Sequence, residues 1–267
     1  MAKARFTGGN RENGDFLTEA LLPLFSPVQW VEDLGVGKKH RVIGIRKLPM
    51  VRQELRRFLH VLPANSAQLK KGVKVSIILS HPSPGSFNHA IATAASETLQ
   101  ARGVVVALHD LYAEQFDPIY TAAELPRDAA LPAVIEQHCR ELGEADGVVI
   151  IHPNYWSRPP AMLCGWVDRV IRPGRAYRFV PDGKGGARPE GLLKVKTAIV
   201  FTTANTPDEI DQSVYGNPLE IHWAKVVFGL CGVPCVRRSF SSVITSTPEQ
   251  RAAWLDAVRC TVTEHLG

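Results

Sequence analysis

From Val73 to the C-terminus, short apolar runs rich in β-branched residues alternate with longer stretches whose apolar positions recur at helical spacing. Val73–Leu79, Val104–Leu108, Gly147–Ile151, Thr197–Thr202 and Cys235–Phe240 read as strands. Residues 86–102, 130–142, 160–171, 219–230 and 248–265 read as helices. In the first helix Ala90, Ile91, Ala94, Ala95 and Leu99 form the stripe expected to be buried, Ser86 is the expected N-cap and Gly103 the stop. Apolar strands interleaved with helices predict a parallel sheet covered on both faces. Right-handed crossovers then give a doubly wound α/β fold with five strands in the order 2-1-3-4-5.

Three polar segments directly follow three of these strands. They are Ser80-His81-Pro82-Ser83-Pro84-Gly85-Ser86-Phe87-Asn88, His152-Pro153-Asn154-Tyr155-Trp156-Ser157 and Thr202-Thr203-Ala204-Asn205. Loops at the carboxyl ends of strands are where an open α/β sheet holds its ligand, and the first two would face each other at the switch point. The first loop runs into a helix N-terminus, an anion site made of free N–H groups and the helix dipole. Gly85, Ser86, Phe87 and Asn88 can hold a phosphate there, with His81 adding a hydrogen bond or charge. Pro153, Asn154, Tyr155, Trp156 and Ser157 offer an aromatic wall and amides for a flat ring. Thr202, Thr203, Ala204 and Asn205 offer hydroxyls and amides in a turn. Each loop alone also fits a plain structural role: a capped turn, a packed Trp, a serine/threonine turn. Taken together they fit a flavin bearing a phosphate.

The chain has 267 residues, 45% hydrophobic and 21% charged, ordinary for a globular protein. No apolar run approaches a membrane span, and no secretory leader is legible at the start. The net charge of +5 is unevenly placed. Residues 1–72 hold 13 Lys/Arg against 6 Asp/Glu, whereas residues 73–267 hold 18 against 20. The basic excess therefore sits in an N-terminal extension and argues against a nucleic-acid surface on the main domain. Within the extension only Met50–Leu62 reads as a short helix, ended by Pro63. The extension is expected to be poorly ordered, or to precede the true start of the product. Cys139, Cys164, Cys231, Cys235 and Cys260 form no zinc pattern and are expected as buried or half-buried reduced thiols, which agrees with a cytoplasmic location. No metal site is expected.

Several motifs in order resemble one family: His81-Pro82 with Ser86-Phe87-Asn88, Asp110-Leu111-Tyr112, Pro153-Asn154-Tyr155-Trp156, Pro160-Ala161, Gly165-Trp166-Val167-Asp168-Arg169-Val170, Gly174-Arg175-Ala176-Tyr177, Thr202-Thr203 and Cys231-Gly232-Val233. Over residues 73–265 the chain is similar to the flavodoxin-like NAD(P)H:quinone oxidoreductases, a group that includes modulator-of-drug-activity proteins and potassium-efflux ancillary proteins. The resemblance implies FMN, with FAD the longer alternative, NAD(P)H as co-substrate, and a quinone or similar acceptor reduced by two-electron ping-pong hydride transfer. It also implies a homodimer with the substrate pocket at its interface, where Tyr155, Trp156 and Tyr177 would be exposed. A flavin-binding ancillary subunit of a potassium efflux transporter is the second reading. Ala204-Asn205 stands where the family often has Gly-Gly, and Cys164 where it often has Lys. The family's charge-stabilising Tyr/His pair has no clear counterpart. Tyr215 is the catalytic candidate by chain order alone, and His222 reads as structural.

Overall fold

The computed structural model describes residues 72–267. The expectations for residues 1–71, including the helix at Met50–Leu62, lie outside the described residues. The elements are β1 (Lys74–Leu79), α1 (Phe87–Ala101), β2 (Val105–Asp110), α2 (Ala133–Glu144), β3 (Gly147–Pro153), α3 (Ala161–Val170), β4 (Tyr177–Pro181), β5 (Ala187–Gly191), β6 (Thr197–Thr203), α4 (Asp208–Ser213), β7 (Cys235–Phe240) and α5 (Pro248–Leu266). Five parallel strands form one sheet in the order β2-β1-β3-β6-β7, the doubly wound order expected from the sequence.

Strand side chains alternate between two apolar layers because the pleat has period two. Val75, Ile77, Leu79, Ile151 and Phe201 pack under α1 and α5, whose Ile91, Leu99, Val258 and Val262 are buried. Ile78, Val148, Ile150 and Val200 pack under α2, α3 and the 218–230 segment through Ile135, Leu142, Leu163, Trp166, Trp223 and Phe228. Gly103, at φ +78°, ends α1 in the left-handed region that favours glycine.

Three features depart from the sequence reading. The hairpin β4–β5 was not anticipated; Pro181-Asp182-Gly183 at its turn was the available signal, and Asp182 Oδ1 accepts the Lys184 and Gly186 N–H there. The helix expected at 219–230 is π-helical over Ile221–Val227, a wider turn that spacing of apolar residues does not reveal. Among the thiols, Cys139 and Cys231 are buried and Cys164 and Cys235 intermediate, but Cys260 is exposed on α5. Burial pushes the Cys139 and Cys231 thiols up to about 11 and Cys235 to about 12, which keeps them protonated and unreactive.

The Gly165–Arg169 stretch of α3 clamps the long connection after β2. A side chain at Gly165 would meet the Pro118 backbone oxygen at 2.2 Å, so only glycine lets that loop lie against the helix. Arg169 is 3% exposed and forks onto Glu124, with Nε 2.9 Å from Oε2 and Nη2 2.7 Å from Oε1. This charge-assisted fork holds the Glu124 carboxyl below the usual carboxylate range, against the opposing effect of burial.

Candidate functional site

The three loops converge at the carboxyl edge of the sheet, because β1, β3 and β6 are neighbours and all three end there. Ser80 N–H donates to the Ile151 oxygen at 2.9 Å and Asn154 N–H to the Thr203 oxygen at 2.7 Å, which ties the strand ends into one rim. Across it, Asn88 Nδ2 donates to Thr203 Oγ1 at 2.9 Å. Ala204 N–H donates to the Phe240 oxygen and Ile244 N–H to Asn205 Oδ1, which fixes the third loop against the chain after β7.

Inside this rim lies a hollow of about 300 Å³. His81, Phe87, Asn88, Pro153, Asn154, Tyr155, Thr203, Ala204 and Asn205, all expected site residues, line it together with Val243 and Ile244, which the sequence reading missed. Val243 and Ile244 lie in a single 3-10 turn, Val243–Thr245, with no chemical signal of its own; only topology brings them there. An adjoining hollow of about 500 Å³ is walled by Tyr112, Asn154, Tyr155, Trp156, Arg158 and the Pro159–Ala161 turn.

The remaining expected residues lie elsewhere on the rim. Gly85, at φ +73° with open space where a side chain would start, exposes backbone beside the helix entry. Ser86 stands at the N-cap position of α1, but its side chain makes no cap bond; it is engaged by His89 instead. Thr202 is fully buried in β6, so its hydroxyl faces the interior and not the hollow. Trp156 and Ser157 both adopt left-handed backbone, φ +55° and +58°, and Trp156 is 93% exposed. Tyr155 is partly exposed, whereas Tyr177 is half-buried against the core and does not present itself as expected. Tyr215 is exposed in the chain after α4 and lines neither hollow. His222 is half-buried on the π-helical segment, where burial lowers its pKa.

Two unpaired polar atoms belong to residues that line the smaller hollow. Asn88 is 2% exposed, and its Oδ1, like that of Asn154, is buried without a hydrogen-bond partner. A buried amide oxygen left unpaired costs about 1–3 kcal/mol, a cost that a ligand hydroxyl or N–H would remove. Among the described residues no Lys or Arg lines this hollow. Any phosphate must be held by α1's first N–H groups, hydroxyls and histidine. These groups fit the phosphate, polyol chain and flat ring of a flavin.

Two buried histidines each accept a hydrogen bond from a tryptophan. His152, the last residue but one of β3, accepts a 2.9 Å hydrogen bond from Trp223 Nε1 through Nε2, while its Nδ1 donates to the Pro153 oxygen. Burial lowers its pKa to about 3. His138 accepts from Trp166 Nε1 at 3.0 Å, and burial lowers its pKa to about 4. Both rings are neutral in the fold but protonate with an ordinary pKa of about 6.5 once unfolded. The unfolded chain therefore binds more protons below that value. Stability should be full above pH ~6.5 and fall on acidification towards pH 4 by about 1.4 kcal/mol per pH unit for each ring. Thermal denaturation between pH 7 and 4 measures this. His152→Gln and His138→Gln should each remove their share of the slope, and an unchanged slope in both would refute the assignment.

His109, Glu114 and His138 offer ligand atoms within 4.8 Å of one another, a grouping the sequence reading did not single out. The cluster is already satisfied internally: His109 bonds Glu114 and Glu141 through its two nitrogens, and His138 Nδ1 accepts from Trp166. That last bond leaves the His138 proton on Nε2, the atom that would have to face a cation.

Comparison with known proteins follows the same outline. The chain is 34% identical to the Rattus norvegicus ribosyldihydronicotinamide dehydrogenase [quinone] over 157 residues, covering 51% of this chain and 66% of that protein. It is 35% identical to the Cavia porcellus NAD(P)H dehydrogenase [quinone] 1 over 196 residues, covering 64% of this chain and 69% of the relative. The solved NAD(P)H:quinone oxidoreductase of Methanothermobacter marburgensis superposes with a TM-score of 0.61 at 25% identity, covering 73% of this chain and 99% of that one. The chain thus spans slightly less than two thirds of the rat relative's length. The model of the family described as having a flavodoxin-like fold matches residues 73–266, which takes in every strand, helix and loop that builds the rim, and the chain belongs to that family.

Proposed function

We propose that this chain is a flavin-dependent NAD(P)H dehydrogenase that reduces quinones or related acceptors by two-electron, ping-pong transfer, with FMN as the cofactor. The observation that carries the reading is the hollow between the three loops, with the unpaired oxygens of Asn88 and Asn154 at its wall. The quinone reductases among its relatives support the reaction class and the acceptor. A bound flavin would accept a hydride from the nicotinamide and return two electrons to the acceptor.

The chain's own residues supply position and polarity. Gly85 to Asn88 would hold the phosphate and polyol chain at the start of α1. Asn154 to Ser157 would wall the ring. Thr203, Ala204 and Asn205 would meet its pyrimidine edge; with the Ala204 N–H taken by the Phe240 oxygen, the Asn205 N–H is the one to stabilise added charge. The larger hollow, with Tyr112, Tyr155 and Trp156, suits flat partners that stack in turn, nicotinamide first and acceptor second. Tyr215 is retained as a candidate for stabilising charge. Its exposed position requires the chain after α4 to move, or a partner subunit to approach, before it could act. The exposed Trp156 supports a homodimer that completes the larger hollow.

No helix among the described residues is long and apolar enough to cross a membrane, and the free thiols agree with a cytoplasmic location. The relatives named above are enzymes, and they lend no support to an ancillary subunit of a transporter.

The test is the anaerobic visible spectrum of the purified protein. A flavin band should bleach on addition of NADH or NADPH and return on addition of a simple quinone. Bound flavin that neither nucleotide bleaches would overturn the enzymatic reading. Extraction and chromatography of the cofactor should give FMN; FAD would replace that assignment.

A further inference from the structure

Ser86, His89 and Asp110 form a continuous hydrogen-bonded chain at the entrance to α1. Ser86 Oγ lies 2.8 Å from His89 Nδ1, and His89 Nε2 lies 3.0 Å from Asp110 Oδ2. The other carboxylate oxygen accepts the backbone N–H of Tyr112 at 3.1 Å and of Ala113 at 3.2 Å. An ionised carboxylate can only accept, so it keeps a proton on His89 Nε2 in both charge states of the ring. Nδ1, facing Ser86, is the atom that carries a proton only in the charged ring.

This gives the Ser86 hydroxyl two settings. With His89 neutral, bare Nδ1 accepts the Ser86 O–H, and Ser86 shows only lone pairs to its surroundings. With His89 protonated, Nδ1–H donates to Oγ, and the Ser86 proton is free to be donated elsewhere. Ser86 directly precedes the first N–H groups of α1, where an anion would sit. Independently of the helix start, the neighbouring Asn88, 2% exposed with its Oδ1 unpaired, marks the hollow as a ligand site. Residues 80–90 contain no Lys or Arg, so the positive charges this stretch can bring to a phosphate are His81 and His89.

The charged groups around His89 can be named. Asp110 pairs with it from the end of β2. The His81 ring lies 6.2 Å away, centroid to centroid, from the first loop. Burial holds His81 towards its neutral form, with the His89 charge acting in the same direction. From α5, Arg251 lies over the Phe87 ring, 5.9 Å from its centroid, and donates to Ser246 Oγ and the Val243 oxygen. His89 is thus the group of this cluster that has both a counter-ion and a hydroxyl to steer.

We propose that Ser86, His89 and Asp110 form a proton-linked phosphate latch: a phosphate at the start of α1 is held tightly only when His89 is protonated. The latch rests on the flavin reading above and goes beyond it, because it makes release of a phosphate-bearing flavin depend on pH. His89 is a positioning residue that acts through Ser86. Since binding favours the protonated ring, affinity falls as pH rises and the ring loses that proton.

The experiment uses the full chain stripped of cofactor and titrated with FMN and with riboflavin between pH 5.5 and 8.5, followed by flavin fluorescence. The wild-type chain is compared with His89→Gln, and the ratio of their FMN affinities cancels FMN's own phosphate ionisation near pH ~6. That ratio should fall as pH rises across this range, by up to about tenfold per pH unit, the limit for one linked proton. Riboflavin, which lacks the phosphate, should give a flat ratio. Ser86→Ala should flatten the FMN ratio while leaving His89 in place. A flat FMN ratio in a protein that binds FMN would overturn the latch alone, as would a riboflavin ratio that falls equally. Failure of both flavins to bind at every pH would overturn the flavin reading and the latch with it.

Discussion

Replacing Arg169 with Met should lower stability by about 3–5 kcal/mol, the usual cost of leaving one member of a buried ion pair alone. Arg169 and Glu124 are almost completely enclosed, at 3% and 2% exposure, so Glu124 would be left as a buried carboxylate without its counter-charge. Arg172 also donates to the Glu124 main-chain oxygen, so the loss would reach the whole 117–126 connection. Urea denaturation of the flavin-free protein measures the effect. The double variant Arg169→Met with Glu124→Leu should recover much of the loss, because it removes both charges together. A single variant within about 1 kcal/mol of wild type would mean that Glu124 takes up a proton at little cost or finds water, and the anchoring role would fall.

The second large effect concerns the ligand. Asn88→Ala should weaken flavin binding by about tenfold to a hundredfold, from the loss of one hydrogen bond to the ligand and of the bond that holds Thr203 in place. Thr203→Val removes only the second of these and should cost about tenfold or less. Flavin fluorescence quenching gives both constants. Equal losses in the two variants would mean that Asn88 only braces the rim. No loss in either would move the cofactor to another place.

The sheet was legible from the sequence because its inner strands are enclosed on both faces and therefore read as unbroken apolar runs. Their order followed from handedness rather than from any pairing signal. The three rim loops were legible because each directly follows such a run. The edge strand β2 ran two residues further than expected, ending with His109 and Asp110, whose polarity looked like the start of a loop. The hairpin β4–β5 escaped because its strands carry Arg178, Arg188, Pro189 and Glu190 and are mostly exposed, so no alternation shows. Within the site, residue type marked Asn88 and Asn154, but the inward turn of Thr202 depends on strand phase. Approach of Val243 and Ile244 depends on the path of the chain after β7. The Gly165–Arg169 motif was visible as a family resemblance, yet its physical work is to seat a loop from 45 residues or more earlier, as the Arg169–Glu124 bond shows.

The bond from Asn88 to Thr203 closes a separation of 115 residues. It has a consequence for the order in which this molecule comes into being during synthesis. The first loop leaves the ribosome more than a hundred residues ahead of its partner on β6, and the chain after β7 and α5 follow later still. Closing so long a segment carries an entropic cost that local helix formation does not meet. The smaller hollow can therefore close only after Ile244 has emerged, and a chain halted before that residue would lack part of its wall.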